Sequence, residues 1–219
     1  MKSPRCAVPL VVVSLALLAA RTPDRVRAAE TQEHLDQRVK KFLDNHAGQW
    51  RDLNVPAVDG QTLHDIIVKN KYTRALEIGT STGHSGIWIA WALSKTGGRL
   101  ITIDIDERRH REAVANFEAA GLSKFIDARL GDAHQLVPAL SGPFDFVFSD
   151  ADKDWYKNYL VAVLPKLVVG GCYATHNVGR GGRRGGASDD YLMYLQSLPN
   201  LETTVDTRGA GMAISYKRS

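Results

Sequence analysis

From Arg74 onward, short apolar runs alternate with longer stretches in which apolar residues recur every three or four positions. The runs are Ala75–Ile78, Leu100–Ile103, Phe125–Leu130, Phe144–Phe148 and Cys172–Thr175, and they read as buried strands. Between them, Ser85–Leu93, Arg108–Ala120, Ala133–Leu140 and Trp155–Val169 carry helical spacing. Strand–helix units repeated in this way predict an α/β fold, a mostly parallel sheet with helices on both faces. The tail predicts a helix near Asp190–Leu198, then strands at Leu201–Asp206 and Ala213–Lys217. Those two would form a C-terminal antiparallel hairpin and bring the sheet to seven strands. Upstream, Leu35, Val39, Phe42, Leu43 and Trp50 give Thr31–Trp50 an amphipathic helical pattern. The stretch Leu53-Asn54-Val55-Pro56 ends it, and Asp59 is placed to cap a second helix bearing Leu63, Ile66 and Ile67.

The first 28 residues follow a different logic. Lys2 and Arg5 precede a largely apolar, uncharged run from Cys6 to Ala20, and Val26-Arg27-Ala28 offers small residues before a cut after Ala28. That is the pattern of a secretory signal peptide. As a helix the run spans about 22 Å at ~1.5 Å per residue, short of a ~30 Å hydrocarbon core. Residues 1–28 are thus expected to be a leader and 29–219 one domain, exported to the periplasm or the medium with no stable membrane span after processing. An uncleaved membrane anchor and a cytoplasmic chain with a misplaced start are the alternatives.

Charge changes meaning once the leader is set aside. The chain of 219 residues has a formal net charge of +4. Without residues 1–28, which hold Lys2, Arg5, Arg21, Arg25 and Arg27 against Asp24, the two signs balance. Bulk charge therefore gives no case for nucleic acid as a partner. Of the cysteines, Cys6 lies in the leader and Cys172 in an apolar run, so neither an internal disulfide nor a CxxC metal pattern is available. Arg180–Gly186 (RGGRRGG) reads as a low-complexity linker loop.

The chemistry concentrates where such sheets bind ligands, at the carboxyl ends of the strands. After the first run comes Glu77-Ile78-Gly79-Thr80-Ser81-Thr82-Gly83-His84-Ser85, a strand-to-helix turn whose glycines permit a tight bend and close backbone approach. Asp104 ends the next run, placed to hold a ribose diol. Gly131-Asp132-Ala133 follows the third and would line an adenine pocket. Together these suit an adenosine-containing ligand. A dinucleotide usually calls for Gly-x-Gly-x-x-Gly, which this turn lacks. Glu77 at the strand end would repel a pyrophosphate but suit a ligand carrying sulfonium and ammonium groups. The expected ligand is S-adenosylmethionine, and an NAD-dependent oxidoreductase is the weaker reading.

Taken in order, these motifs resemble the cation-dependent O-methyltransferase family, to which catechol and caffeoyl-CoA O-methyltransferases belong. Leu53–Gln61 resembles the segment that closes over the methionine part of the cofactor, which brings in Val55. Glu77-x-Gly79-Thr80-x-x-Gly83-x-Ser85 resembles the first motif, and Asp104 falls at the ribose acid. Phe144–Tyr156, containing Asp150 and Lys153, resembles the fourth-strand motif, and Gly170–Val178 the fifth. The resemblance implies a Rossmann-like class I methyltransferase fold and methyl transfer to a hydroxyl of a small aromatic or vicinal-diol acceptor. It also implies a homodimer.

By the same resemblance, Glu77, Gly79, Thr80, Ser81, Gly83, Ser85, Asp104, Asp132, Ala133 and Asp150 bind the cofactor with Val55. Asp150 and Asn177 become ligands of a divalent cation, and Lys153 the general base beside them. The cation would act as Lewis acid and template. One position departs from the pattern: His176 stands where the family has a second aspartate. An imidazole there favours Mn²⁺, Fe²⁺ or Zn²⁺ over Mg²⁺, or could itself act as a base in place of metal, and the alternative is an inactive site in a non-catalytic S-adenosylmethionine-binding homologue. His84 replaces a common tyrosine and is expected to pack rather than ligate. The stretch Gly209–Ala213 lacks the acid with which the catechol enzyme grips its second hydroxyl, and Asp59 could contribute one from the entry segment.

Overall fold

A computed structural model describes residues 23–179 and 185–219, with side chains at 31–179 and 189–219. Most of the expected leader (residues 1–22) and residues 180–184 of the arginine-glycine loop lie outside the described residues. The elements run α1 (Pro23–Asn45), α2 (Ala57–Asn70), β1 (Arg74–Ile78), α3 (His84–Thr96), β2 (Arg99–Asp104), α4 (Glu107–Ala120) and β3 (Ile126–Leu130). They continue α5 (Ala133–Ala139), β4 (Phe144–Ser149), α6 (Tyr156–Val163), β5 (Leu167–His176), α7 (Gly185–Ser197), β6 (Leu201–Asp206) and β7 (Met212–Lys217).

The seven strands form one sheet in the order β3-β2-β1-β4-β5-β7-β6. The first five pair in parallel, and β7 inserts antiparallel between β5 and β6. The expected hairpin is present, with Leu201 opposite Lys217 and Asp206 opposite Met212. Alternation along β1 and β4 sends Ala75, Phe146 and Phe148 to one face and Leu76, Ile78 and Val147 to the other. Helices α1 to α4 cover the first face and α5 to α7 the second, so each face has its own apolar core. This is the Rossmann-like arrangement of class I methyltransferases. Strand order reverses between β1 and β4, and the crevice there is the expected ligand position. Among the described residues no helix is long and apolar enough to cross a membrane.

Several boundaries differ from expectation, and the tail helix expected near Asp190–Leu198 is α7, which starts at Gly185. The helix expected at Thr31–Trp50 is α1, which starts at Pro23 and ends at Asn45, so it runs through the position of the expected cut. Asp59 does not cap α2, because Pro56 occupies the N-cap and Asp59 sits in the first turn. The helix expected over Trp155–Val169 ends at Val163, and after a 3-10 turn containing Pro165 the chain enters β5 at Leu167. Gly170 and Gly171 look like a break in the sequence but lie inside that ten-residue strand. Leu167 pairs with Phe144 and Cys172 with Phe146, so Val168–Gly171 bulge between two paired positions, with Gly170 at φ +81°.

Candidate functional site

The turn after β1 is built against the neighbouring strands. Gly79 has φ +97°, and a Cβ there would lie 2.9 Å from the Asp150 carbonyl oxygen, so only glycine lets the turn pass the end of β4. The Gly79 N–H donates to the Ile103 carbonyl (2.9 Å), and the Ser81 N–H donates to Asp104 Oδ2 (2.7 Å). Asp104 Oδ1 accepts the Asp106 N–H at 2.8 Å. Asp132 caps α5 by accepting the His134 N–H, also at the end of a strand.

These strand ends enclose a cleft of about 440 Å³. Gly79, Ser81, Asp104, Asp132, Ala133 and Asp150, all expected to bind cofactor, line it together. Leu53, Ile105, Arg109, His134, Asp152 and Tyr159 also line it and were not expected. Leu53 belongs to the segment expected to close over the site and Asp152 to the fourth-strand motif, but the others carry no motif signal. Four aspartates face this space (Asp104, Asp132, Asp150 and Asp152). Arg109, the one arginine in the wall among the described residues, is tied to Asp52 by contacts of 2.8 and 3.0 Å. His134 stacks on Trp155 at 3.8 Å between ring centroids and lies 3.3 Å from Asp152. The net field favours a cationic ligand and opposes a pyrophosphate.

The other expected cofactor residues sit behind the wall. Glu77 is fully buried beneath the turn and does not line the cleft, a correction to the idea that its carboxylate guards the mouth. Burial pushes its carboxyl up to about 7, partly offset by hydrogen bonds from Ser85 and Thr102 and reinforced by the charges of Asp150 and Asp104. Thr80 and Thr102 share a 2.5 Å hydrogen bond, Thr102 donates to Glu77 Oε2 at 2.6 Å, and Ser85 is buried in the same network. Gly83 takes φ +97° where a Cβ would meet the Phe117 ring at 2.7 Å, so it serves packing between α3 and α4. Val55 is buried on the far side of its segment, where its carbonyl meets His84 Nδ1 at 2.9 Å. The charge argument for the ligand therefore moves from Glu77 to the four aspartates.

His84 packs as expected. It stacks on Trp50 at 4.3 Å and accepts the Trp88 indole N–H at 3.1 Å, and burial holds its pKa down to about 4. Trp50, Trp88 and Trp91 line a second cleft of about 680 Å³ between α1, α2 and α3.

Beside the first cleft the ends of β4 and β5 bring together the expected catalytic and metal residues. Lys153 Nζ lies 3.6 Å from Asp150 Oδ1 and donates to Asn177 Oδ1 at 2.6 Å. His176 Nδ1 is 3.0 Å from Asp150 Oδ2 but without the alignment of a hydrogen bond. His176 Nε2 is hydrogen-bonded to Asp59 Oδ2 at 2.9 Å. Burial works against a charged ring at His176, but the two carboxylates outweigh it and raise its pKa to about 9. With both nitrogens facing carboxylates, His176 is poorly placed to be a free base. Asp59, only 1% exposed, is committed to His176 and cannot serve as the acceptor's second-hydroxyl ligand. Among the described residues no three His, Cys, Asp or Glu side chains form a metal-binding group, so a cation here would need the Asn177 amide with Asp150 and His176.

Comparison with known proteins agrees with this geometry. A family model described as O-methyltransferase matches residues 26–206. Catechol O-methyltransferase from Niastella koreensis is 40% identical over 112 residues, 49% of this chain and 50% of that protein. Caffeoyl-CoA O-methyltransferase 1 from Eucalyptus globulus is 32% identical over 133 residues, 58% of this chain and 54% of that protein. The chain thus spans about half the length of the curated relatives it matches. The crystal structure of the O-methyltransferase from Bacillus cereus in complex with SAH superposes with a TM-score of 0.71 at 26% identity, covering 83% of this chain and 91% of that one.

Proposed function

The chain belongs to the O-methyltransferase family, and from that premise we propose that it moves a methyl group from S-adenosylmethionine to a hydroxyl of a small aromatic or vicinal-diol acceptor. The observation that carries this reading is the acidic cleft at the switch point of the sheet, where Asp104, Asp132, Asp150 and Asp152 surround a glycine turn. A cationic adenosine compound fits that donor set. Asp104 can accept a ribose diol on the lone pairs its two backbone N–H partners leave free. The Ala133 side opens to an adenine, and the buried, unpartnered Ser81 hydroxyl sits at the turn for a polar group of the ligand.

When bound, the cofactor supplies an electrophilic methyl on a sulfonium. The chain's own part is to hold the acceptor in line with it, which for well-oriented groups removes about 7–11 kcal/mol of barrier. Lys153, beside Asp150 and Asn177 at the edge of the cleft, is the group placed to take the hydroxyl proton when its amine is neutral. Asp150, His176 and Asn177 are the residues that would hold a divalent cation, and there it would supply Lewis acidity to the acceptor oxygen. The buried His176 Nδ1 with no aligned hydrogen bond fits such a role.

The test is calorimetry with S-adenosylhomocysteine and with NAD, then transfer of labelled methyl to a catechol panel. Micromolar S-adenosylhomocysteine binding with transfer to a hydroxyl supports the reading. A cleft that prefers NAD overturns it.

A further inference from the structure

We propose that Asp59 is the positioning residue of a mixed nitrogen–oxygen cation site made by Asp150, His176 and Asn177, and that this site takes Mn²⁺ or a similar transition metal in preference to Mg²⁺. The inference rests on the methyltransferase reading above and adds to it the residue that orients the site and the metal class it selects.

His176 ends β5 and is 3% exposed, and its backbone is held by pairing with Met212 and by the Tyr156 hydroxyl, which donates to its carbonyl at 2.9 Å. Its ring is held separately. Asp59 Oδ2 takes the Nε2 side at 2.9 Å and also accepts the Ala210 N–H at 2.9 Å. Gly209 packs so closely on Asp59 that any Cβ there would overlap the carboxylate. Asp59 is held by the Ala210 N–H, and the ring cannot turn without breaking its buried contact with Asp59. With the Nε2 proton directed at Asp59, Nδ1 is the nitrogen that faces Asp150, and a cation bound there would take the place of its proton.

Nδ1 and Asp150 Oδ2 stand 3.0 Å apart, Nδ1 buried and Asp150 in the wall of the cleft, and Nδ1 has no aligned hydrogen-bond partner. Two donors each ~2.1 Å from one ion and at right angles to each other are separated by about 3 Å. A histidine ligand whose other nitrogen donates to a carboxylate is the common way proteins fix a metal-binding ring, and Asp59 has that place here. Asn177, at φ 58°, comes directly after His176, and its Oδ1 already faces one cation, the Lys153 ammonium at 2.6 Å. An amide oxygen has a second lone pair for a metal. One imidazole among oxygen donors shifts preference away from Mg²⁺, which favours all-oxygen surroundings, toward Mn²⁺, Fe²⁺ or Zn²⁺.

The experiment tracks free Mn²⁺ by electron paramagnetic resonance as the full chain is titrated, with Mg²⁺ as competitor and S-adenosylhomocysteine affinity measured in parallel. Expected are one Mn²⁺ per chain and a preference over Mg²⁺ of about tenfold or more. Asp59→Asn should weaken Mn²⁺ binding roughly 10–100-fold while leaving S-adenosylhomocysteine affinity unchanged. His176→Asp should lower the Mn²⁺-to-Mg²⁺ preference by about tenfold. Wild-type chain that binds S-adenosylhomocysteine but no Mn²⁺, or that binds Mg²⁺ as well as Mn²⁺, overturns the proposal, as does an Asp59→Asn protein with unchanged Mn²⁺ affinity. If Asp59→Asn does not fold, the wild-type metal preference still decides. Failure of S-adenosylhomocysteine binding is a separate result and counts against the methyltransferase reading instead.

Discussion

The Ser81 N–H donates to Asp104 Oδ2 at 2.7 Å, joining the turn after β1 to the end of β2. The other oxygen of the same carboxylate holds the Asp106 N–H. Both oxygens thus face backbone donors, and an amide could satisfy only one of them. Asp104→Asn should weaken S-adenosylhomocysteine binding by tenfold or more in calorimetry. It should also destabilise the fold by about 1–3 kcal/mol in denaturant titration, since one N–H would face an NH₂ group.

Glu77 makes stability depend on pH. Its carboxyl is held near 7 in the fold against an ordinary 4.5. Between those values the folded chain keeps a proton that the unfolded chain releases, so stability falls as pH rises. The contribution is fully present below pH 4.5, declines across the window, and is gone above about 7. It amounts to something on the order of 3 kcal/mol. Urea midpoints of the ligand-free chain from pH 4.5 to 8 should show the decline, and Glu77→Gln should flatten it while remaining folded.

Asp52 fastens the segment before α2 to α4. Its carboxylate meets Arg108 at 2.7 Å and Arg109 at 2.8 Å, and these two guanidinium groups hold its pKa down to about 2. The neighbouring Leu53 lines the cleft. Asp52→Ala should change global stability by less than about 1 kcal/mol, because exposed ion pairs contribute little. It should raise the KM for the methyl donor severalfold with kcat nearly unchanged, as steady-state kinetics at saturating acceptor would show.

Lys153 is expected to act in the chemical step alone. Lys153→Ala should lower kcat by roughly 10²- to 10⁴-fold and leave S-adenosylhomocysteine affinity intact. Lys153→Arg should not restore the rate, because a guanidinium keeps its proton at any working pH. A rate within threefold of wild type for either variant would remove Lys153 from proton transfer.

Local pattern is enough for most of the architecture. Strands of period two and helices with apolar stripes can be recognised within about ten to fifteen residues, so β1 to β4 and the terminal pair are legible in sequence. The cofactor turn is legible too, because Gly79 and Gly83 answer to backbone conformation, which sequence records directly. Expectation fails where distant partners decide. The strand continues through Gly170 and Gly171 because β4 pairs on either side of the bulge they form, Phe144 with Leu167 and Phe146 with Cys172, and β7 pairs with Cys172 to His176. A place at a strand end would put Glu77 in the cleft, but alternation turns it under α3, where Ser85 and Thr102 enclose it.

Residue order by itself settled the alternation of elements, the glycine turn and the identity of the groups at each strand end, all properties of short stretches. The folded chain alone decided which of those groups share a space. Asp59 and His176 are 117 residues apart and meet at 2.9 Å only because α2 and the ends of β5 and β7 converge there. No local pattern contains that contact, since it comes from how the sheet and its covering helices pack.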